Sequence, residues 1–310
     1  MNESPESIAG VADIDCTEMR ALVTGSTSGI GRATALALGR LGADVFVHGR
    51  DAEAGREVVA DLSGLGVDAS FIAADFASVE AVQDLAATVR DRSDGLDLLV
   101  NNAGGLFREG RLTDLGVEGT FHVNHLAPFL LTTTLLDHLR ADGRVVTTAS
   151  AAHRGIGLDL ERVEHVDSHS SRWAYGHSKL ANVLFARELA RRLDAAGHEV
   201  TSNSLHPGAI PGSDFSRFLP GPLPSVARLF DAIPGVTSVS EGAAEVLFSG
   251  ISPRVTGISG RHFADRDLAT PSDVARDPDA ARRLWEWSAT RLGIDEPFAT
   301  SVRGSSASEG

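Results

Sequence analysis

The segment TGSTSGIG, residues 24–31, is the feature that most constrains how this chain can fold. It follows RALVT, an apolar run typical of a buried strand, and it opens the helical pattern of residues 32–41. Glycines in this position allow a tight turn and leave free N–H groups at the helix N-terminus, where a pyrophosphate can bind. The context favours a dinucleotide-binding turn, although a glycine-rich turn alone would indicate only structure. The predicted contact residues are Gly25, Ser26, Thr27, Ser28, Gly29, Ile30 and Gly31.

Strand-like and helix-like patterns alternate along most of the chain. Strand patterns cover residues 20–24, 44–48, 69–75, 96–104, 144–150 and 199–208, and helical patterns cover residues 32–41, 52–62, 78–92, 116–139 and 173–196. Continuous apolar runs such as LDLLV are typical of strands buried on both sides. The alternation predicts an α/β fold, a single Rossmann-type doubly wound parallel sheet with helices on both faces.

The ends of the chain and one internal segment differ from this pattern. Residues 1–18 are polar and acidic and predict a flexible lead-in, residues 19–296 form the predicted domain, and residues 297–310 resemble a disordered tail. Residues 212–235 are rich in Pro and Gly and are either a surface excursion or, as we favour, an apolar lid over a substrate cleft. Its apolar side chains are Phe215, Phe218, Leu219, Leu223, Leu229 and Phe230.

Composition excludes several classes of function. The net charge of -14 disfavours a nucleic acid or an anionic membrane as partner, because both require clustered basic side chains. No apolar run reaches the roughly 18 residues of a membrane span, and the start lacks a signal-peptide pattern. The single cysteine, Cys16, rules out an intrachain disulfide. No spacing of His, Asp or Glu indicates a metal site, and we expect a cytoplasmic protein without metal.

The second strand pattern ends in HGRD, which bears on the choice of cofactor. Folds that prefer NAD carry an acidic residue here for the ribose 2′-OH, whereas this chain has Gly49 and Arg50. A guanidinium pairs with a 2′-phosphate, so Arg50 favours NADP(H), with NAD(H) less favoured; the alternative is a solvated charge beside Asp51. Asp75 ends the third strand pattern, where it can meet the adenine or start a turn. The NNAG turn of residues 101–104 is polar but unspecific.

Tyr175 and Lys179 are the only tyrosine and the only lysine of the 310 residues, and they stand at i and i+4 of a helical pattern. This spacing places both side chains on one helix face. A phenol has a pKa of about 10, and a nearby ammonium lowers it toward the range useful for acid/base catalysis. Ser150, at the end of the fifth strand pattern, can hold a substrate oxygen beside them or act only as a helix cap. An isolated Tyr/Lys pair at this spacing is usually a surface contact. That interpretation is weaker here, because the chain uses neither residue type anywhere else.

Over about residues 20–294, the chain resembles the short-chain dehydrogenase/reductase family. The resemblance rests on motifs that follow one another in the family's order: TGSTSGIG, DFAS, NNAG, HVNHLAPFLLT, a strand ending in Ser, YGHSK and HPG. Within it, YGHSKLANVLFARELARRL and SGRHFADRD are similar to the retinol-dehydrogenase-like branch. The gap between Ser150 and Tyr175 is about twice the usual family spacing, and in this too the chain is similar to the retinol-dehydrogenase-like branch. Members of that branch act on retinoids, steroids and other apolar alcohols or carbonyls.

The resemblance implies a role for each matching residue. Tyr175 would be the acid/base, Lys179 would lower its pKa and bind the nicotinamide ribose, and Ser150 would orient the substrate oxygen. Asn124 would hold a water that links Lys179 to solvent. Cofactor contacts are implied for Asp75, Phe76, Asn101, Asn102, Ala103, Gly104, Pro207, Gly208 and Ile210, together with Arg50, Tyr175, Lys179 and the glycine turn.

The chain departs from the family pattern at two positions. A threonine that commonly binds the nicotinamide carboxamide is replaced by Gly212, followed by Ser213, and Ala149 replaces a common serine. His153, His177 and His206 stand near the implied site, and we expect them to pack or shape it rather than take part in the chemistry.

The predicted function is therefore an NADP(H)-dependent oxidoreductase that interconverts an alcohol and a carbonyl on an apolar small molecule. The alternative is a catalytically silent dinucleotide-binding sensor or scaffold on the same fold, although such proteins typically lack one of the four residues implied to be catalytic. A sugar-nucleotide epimerase or dehydratase is disfavoured, because those relatives have a differently spaced glycine turn. Family members are commonly homodimers or homotetramers, and we expect the same here.

Overall fold

A computed structural model describes residues 3–167, 170–208 and 237–294. Eight strands form one sheet in the order β3-β2-β1-β4-β5-β6-β7-β8, and every neighbouring pair is parallel except β7 with β8. The strands are β1 Arg20–Val23, β2 Asp44–Gly49, β3 Ala69–Ala73, β4 Leu96–Asn101, β5 Leu139–Thr148, β6 Thr201–His206, β7 His262–Ala264 and β8 Asp267–Leu268. The predicted parallel Rossmann-type sheet is confirmed, and the two-residue β8 adds an antiparallel edge.

Helices cover both faces of this sheet. They are α1 Pro5–Ile8, α2 Gly29–Arg40, α3 Ala52–Gly64, α4 Val79–Arg92, α5 Gly119–Phe121, α6 Ala127–Leu135, α7 Ser171–Ala195, α8 Val239–Ile251, α9 Asp273–Arg276 and α10 Pro278–Leu292. One core contains side chains of α2, α3 and α8, a second contains side chains of α4, α6 and α7, and a third contains side chains of α5, α7 and α10. Successive residues of β1 belong to different cores, Ala21 and Val23 to the first and Leu22 to the second, because side chains alternate along a strand.

The strand order reverses beside β1. The chain runs from β1 outward to β2 and β3, and then returns to place β4 on the other side of β1. In such a sheet a crevice opens at the carboxyl ends of the two strands that flank the reversal, and ligands bind there. The glycine turn after β1 and the NNAG turn after β4 therefore meet at this crevice.

The helical pattern predicted for residues 116–139 is divided in the structure. It forms α5, a π-helical turn at His122–Leu126, α6 and a short 3₁₀ turn at Leu136–His138 before β5 begins. Pro128, at the start of α6, has no N–H to donate to the carbonyl of Asn124 four residues earlier. The irregular turn follows from that missing bond, and single π turns inside helices are frequent at functional sites.

The N-terminal segment is folded against the domain, which corrects the flexible lead-in predicted for residues 1–18. Residues 3–18 include α1, and the side chains of Val11 and Cys16 are 1% exposed within the core under α2 and α8. Glu6 accepts two hydrogen bonds from the Arg40 guanidinium, at 2.6 and 2.9 Å. The segment has few apolar residues, but they cover an apolar area that the adjacent helices leave open.

Candidate active site

Two glycines of the turn after β1 lie where a side chain cannot fit. A Cβ at Gly25, which has φ of +65°, would lie 2.9 Å from the Cα of Ala103. A Cβ at Gly31 would lie 2.2 Å from the carbonyl oxygen of Gly25 and 2.6 Å from the Asn102 side chain. The turn, the first residues of α2 and the NNAG segment are therefore packed backbone against backbone. This arrangement leaves the N-terminus of α2, a helix of 12 residues, at the crevice.

Thr24 and Asn102 connect the two turns. The Thr24 hydroxyl accepts the N–H groups of Asn102 and Ala103, at 2.9 and 3.0 Å, and donates to the carbonyl of Val100 at 3.0 Å. The Asn102 amide in turn donates to the carbonyl of Thr24 at 2.9 Å. The second asparagine of NNAG therefore supports the glycine turn, whereas the first, Asn101, is buried and bonds to Thr132 at 2.8 Å.

His48 also supports this turn, and the sequence analysis missed it. Its Nδ1 accepts the N–H of Gly25 at 3.2 Å, its Nε2 lies 3.2 Å from the carbonyl of Ala74, and its ring stacks on Phe76 with centroids 4.5 Å apart. Burial lowers the pKa of His48 to about 4, so the ring is neutral and donates through Nε2. The imidazole thus connects the ends of β1, β2 and β3.

We expect Gly31→Ala to destabilise the protein by about 1–3 kcal/mol, because the new methyl group would overlap backbone atoms of Gly25. The same displacement would weaken binding of NADPH, the predicted cofactor, by about 10-fold or more. Urea unfolding and fluorescence titration measure the two effects. Gly64→Ala at the end of α3 is the matched control, since a Cβ there meets nothing within 4 Å. Equal behaviour of the two variants would show that the turn is not closely packed.

The residues predicted to face the adenosine lie at the ends of β2 and β3. A Cβ at Gly49 would lie 2.6 Å from the Thr27 side chain, so a larger residue would displace the glycine turn. Arg50 is exposed directly after β2. Asp75 is exposed after β3 and caps its own turn by accepting the N–H of Ala77 at 3.0 Å.

Helix α7 brings Tyr175 and Lys179 to the carboxyl end of β5. Lys179 is 4% exposed, and its ammonium donates to the carbonyl of Thr148 at 2.9 Å and lies 5.6 Å from the centroid of the Tyr175 ring. Asn182, one turn further along α7, donates to the same carbonyl at 3.1 Å. Burial lowers the pKa of Lys179 to about 8. The predicted pairing on one helix face is therefore present, and both side chains point toward β5.

The Ser150 hydroxyl lies beside the Tyr175 side chain and acts on its pKa through hydrogen bonding. Ser150 lies two residues beyond the end of β5 and caps a 3₁₀ turn, since its hydroxyl accepts the N–H of Ala152 at 3.2 Å. Burial raises the pKa of Tyr175, and the Ser150 bond lowers it in part. In the protein alone, loss of hydration disfavours the phenolate, so burial acts against the lowering of the Tyr175 pKa that the sequence predicts.

Asn124 lies in the π-helical turn and faces the same site. Its side-chain oxygen accepts the N–H of Gly105 at 2.8 Å, and its amide donates to the carbonyl of Gly105 at 2.9 Å and to the Ser178 hydroxyl at 3.0 Å. A Cβ at Gly104 would lie 2.9 Å from the Asn124 oxygen and 3.7 Å from Lys179 Nζ. Gly104 is thus the backbone position that faces both polar groups.

The structure describes only part of the predicted nicotinamide side. Pro207 and Gly208 follow β6, and Gly208, with φ of +89°, packs against Thr237, since a Cβ there would lie 2.2 Å from the Thr237 hydroxyl. Ile210, the Gly212 and Ser213 departure and the predicted lid at residues 212–235 lie outside the described residues.

The sheet order, the turn at its reversal and the Ser-Tyr-Lys grouping beside it define a Rossmann-type oxidoreductase. The chain belongs to the short-chain dehydrogenase family, whose sequence profile matches residues 19–219. It is an oxidoreductase that acts on alcohol or carbonyl groups, and the predicted retinol-dehydrogenase-like branch is confirmed.

The chain is similar to two curated relatives. It is 39% identical over 273 residues to polyprenol dehydrogenase of Mus musculus, which covers 86% of this chain and 81% of that protein. It is 34% identical over 291 residues to retinol dehydrogenase 13 of Homo sapiens, which covers 89% of this chain and 85% of that protein.

A solved structure is also similar. A short chain dehydrogenase from Burkholderia cenocepacia J2315 in complex with NADP is 32% identical, with a TM-score of 0.64, covering 84% of this chain and 99% of that one. Within residues 3–167, 170–208 and 237–294, no helix is long and apolar enough to cross a membrane.

Proposed function

We propose that this protein is an NADP(H)-dependent oxidoreductase that interconverts an alcohol and a carbonyl on an apolar small molecule, with Tyr175 as the general acid/base. The observation that carries the proposal is the placement of Tyr175 and Lys179 by α7 at the carboxyl end of β5, beside Ser150, with the Lys179 ammonium 5.6 Å from the centroid of the phenol ring. A cytoplasmic location and a homodimer or homotetramer stay predictions from the sequence.

The crevice fits a dinucleotide. Glycine at positions 25, 31 and 104 leaves bare backbone where a side chain would collide with neighbouring atoms, and α2 begins there with its N–H groups unpaired within the helix. Arg50 is exposed beside this turn and would pair with a 2′-phosphate, in line with the NADP bound by the Burkholderia cenocepacia relative. When bound, the nicotinamide supplies or accepts the hydride.

The side chains of this site would handle the substrate oxygen and its proton. Ser150 and Tyr175 would both bond that oxygen, and Tyr175 Oη would give it a proton in reduction and take one in oxidation. The raised pKa of Tyr175 keeps the phenol protonated at neutral pH, which suits reduction of a carbonyl. With a pKa of about 8, the Lys179 ammonium is mostly charged at pH 7 and would stabilise the phenolate left after transfer.

Asn124 would connect this site to solvent. Its side-chain oxygen and Lys179 Nζ both lie around Gly104, so a water or a ribose hydroxyl between them would reach both groups. Such a link would return a proton to Tyr175 through Lys179 after each turnover.

An apolar substrate is supported by what the relatives are named for. Polyprenol and retinol are both apolar alcohols, and the two relatives cover more than four-fifths of this chain. The proposal is tested by following NADPH absorbance with a panel of long-chain aldehydes, apolar ketones, steroids and retinoids, with small polar carbonyls as the comparison set. We expect consumption with apolar members of the panel. NADPH binding without consumption by any carbonyl would instead support the sensor or scaffold.

Arg50→Ala is expected to raise the Kd for NADPH by about 10- to 100-fold and leave the Kd for NADH unchanged, because a charge-assisted bond to the 2′-phosphate would be lost. Fluorescence titration with both cofactors measures the ratio. Arg56→Ala is the control, since Arg56 is also exposed but lies on α3. An unchanged ratio in Arg50→Ala would show that another group selects the cofactor.

A further inference from the structure

The turn that carries Ser150 is held by two histidines that the proposed chemistry does not use. The N–H of Ala151 donates to Nδ1 of His206 at 3.3 Å. His153 Nδ1 lies 2.6 Å from the carbonyl oxygen of Ser150, and the N–H of Ser272 donates to His153 Nε2 at 3.2 Å. Both contacts therefore hold the single peptide group that joins Ser150 to Ala151, its N–H from β6 and its carbonyl through His153 from the segment before α9.

These bonds assign the proton on each ring. Nδ1 of His206 accepts an N–H, so a neutral His206 carries its proton on Nε2. Nε2 of His153 accepts from Ser272, so its Nδ1 carries the proton and donates to the Ser150 carbonyl. Burial lowers the pKa of both rings, which favours these neutral forms.

His206 lies between two parts of the site, the end of β6 on the cofactor side and the turn that carries Ser150. It is the last residue of β6, directly before Pro207 and Gly208, which are predicted to lie against the nicotinamide. Through Ala151 it also contacts the turn whose serine hydroxyl lies beside Tyr175. One side chain thereby fixes the substrate-orienting turn relative to the strand end on the cofactor side, and displacements of about 1 Å at such a site reduce rates by about 100-fold.

We propose that His206 is a positioning residue for Ser150: by accepting the Ala151 N–H, its Nδ1 sets the direction in which the Ser150 hydroxyl meets the substrate oxygen. The inference rests on the proposed function, which gives Ser150 that task. It gives a specific form to the expectation from the sequence, in which His206 packs or shapes the site.

The replacement of His206 by two different residues tests the role of one atom. The amide oxygen of Asn can take the place of Nδ1, whereas Leu fills similar space without an acceptor. We expect His206→Leu to lower kcat/KM for the carbonyl substrate by about 10- to 100-fold with the Kd for NADPH unchanged, and His206→Asn to stay within about threefold of the wild type. His165→Leu, an exposed position on the segment between β5 and α7, is the control for loss of a histidine.

A double-mutant cycle separates this role from a general structural one. In a Ser150→Ala background, His206→Leu should have no further effect on kcat/KM, because the hydroxyl that it positions is absent. Equal loss in His206→Leu and His206→Asn, or a full additional loss in the Ser150→Ala background, would overturn the inference. A wild-type kcat/KM unaffected by Ser150→Ala would instead contradict the proposed role of Ser150.

A measurement without turnover tests the geometry directly. The ¹⁵N NMR shifts of the His206 ring at neutral pH should show an unprotonated Nδ1, and His206→Asn should retain the far-UV circular dichroism of the wild type. A proton on Nδ1 of His206 would overturn the inference whatever the substrate proves to be.

Discussion

Tyr175→Phe is expected to lower kcat for carbonyl reduction by about 100- to 10,000-fold, while the Kd for NADPH stays unchanged. The substitution removes one hydroxyl from the chain's single tyrosine and keeps the ring that lies near Lys179. Single-turnover measurement at saturating NADPH isolates the chemical step from binding.

The matched control for Tyr175→Phe removes a hydroxyl elsewhere. Thr88→Val on α4 deletes a half-buried hydroxyl that bonds only the carbonyl of Asp84 within its own helix. Its turnover should equal that of the wild type. Turnover of Tyr175→Phe within threefold of the wild type would contradict the proposed mechanism and leave the cofactor assignment untouched.

Acidification from pH 7.5 to pH 5 is expected to lower the free energy of unfolding by on the order of 8 kcal/mol, a large part of the stability of a typical domain. The cause is a set of buried histidines. Burial lowers the pKa of His48, His122 and His177 to about 4 and the pKa of His125 and His262 to about 3.

The sign follows from proton uptake. Below an unfolded-state pKa of about 6.5, each of these histidines binds a proton in the unfolded chain but not in the folded one, which costs up to about 1.4 kcal/mol per pH unit until the folded pKa is reached. Glu245 acts in the opposite direction, because burial raises its pKa to about 7 and the folded state takes up its proton first. One such carboxyl offsets about one histidine.

Urea unfolding at pH 7.5, 6.5, 5.5 and 5.0 measures this dependence. We expect His122→Asn to reduce the loss of unfolding free energy on acidification by about 2 kcal/mol. Asn keeps an acceptor or donor for the Thr113 hydroxyl, which His122 Nδ1 contacts at 2.8 Å. His165→Asn, at an exposed position, should leave the curve unchanged. Stability that is constant between pH 7.5 and pH 5 would show that these rings are hydrated in the folded protein.

The main architecture was predictable because it follows from local pattern. Apolar runs bounded by glycine turns predicted the strands, and the glycine turn between strand and helix predicted where the crevice lies. The spacing of Tyr175 and Lys179 placed both on one helix face, and the structure shows them together. Strand ends were less accurate: β5 ends at Thr148 rather than Ser150, since a capping hydroxyl after a strand leaves no local signal of the last ladder bond.

What the sequence did not predict depends on contacts between distant residues. His48 supports the glycine turn from a neighbouring strand, and nothing at position 48 itself indicates that Nδ1 will meet the N–H of Gly25. The division of the helical pattern at Asn124 had a local cause in Pro128, which the apolar periodicity of the segment concealed. The raised pKa of Tyr175 depends on burial, which no spacing rule supplies.

The folded N-terminal segment shows that the domain defined by packing and the domain defined by the family profile begin at different residues. The family profile begins at residue 19, yet the chain's own packing begins at least as early as α1, where Glu6 binds Arg40. A gene trimmed to the family boundary would encode a protein whose α2 and α8 present an uncovered apolar patch to water. For this chain, the physical unit that folds therefore begins before the segment that the family profile matches.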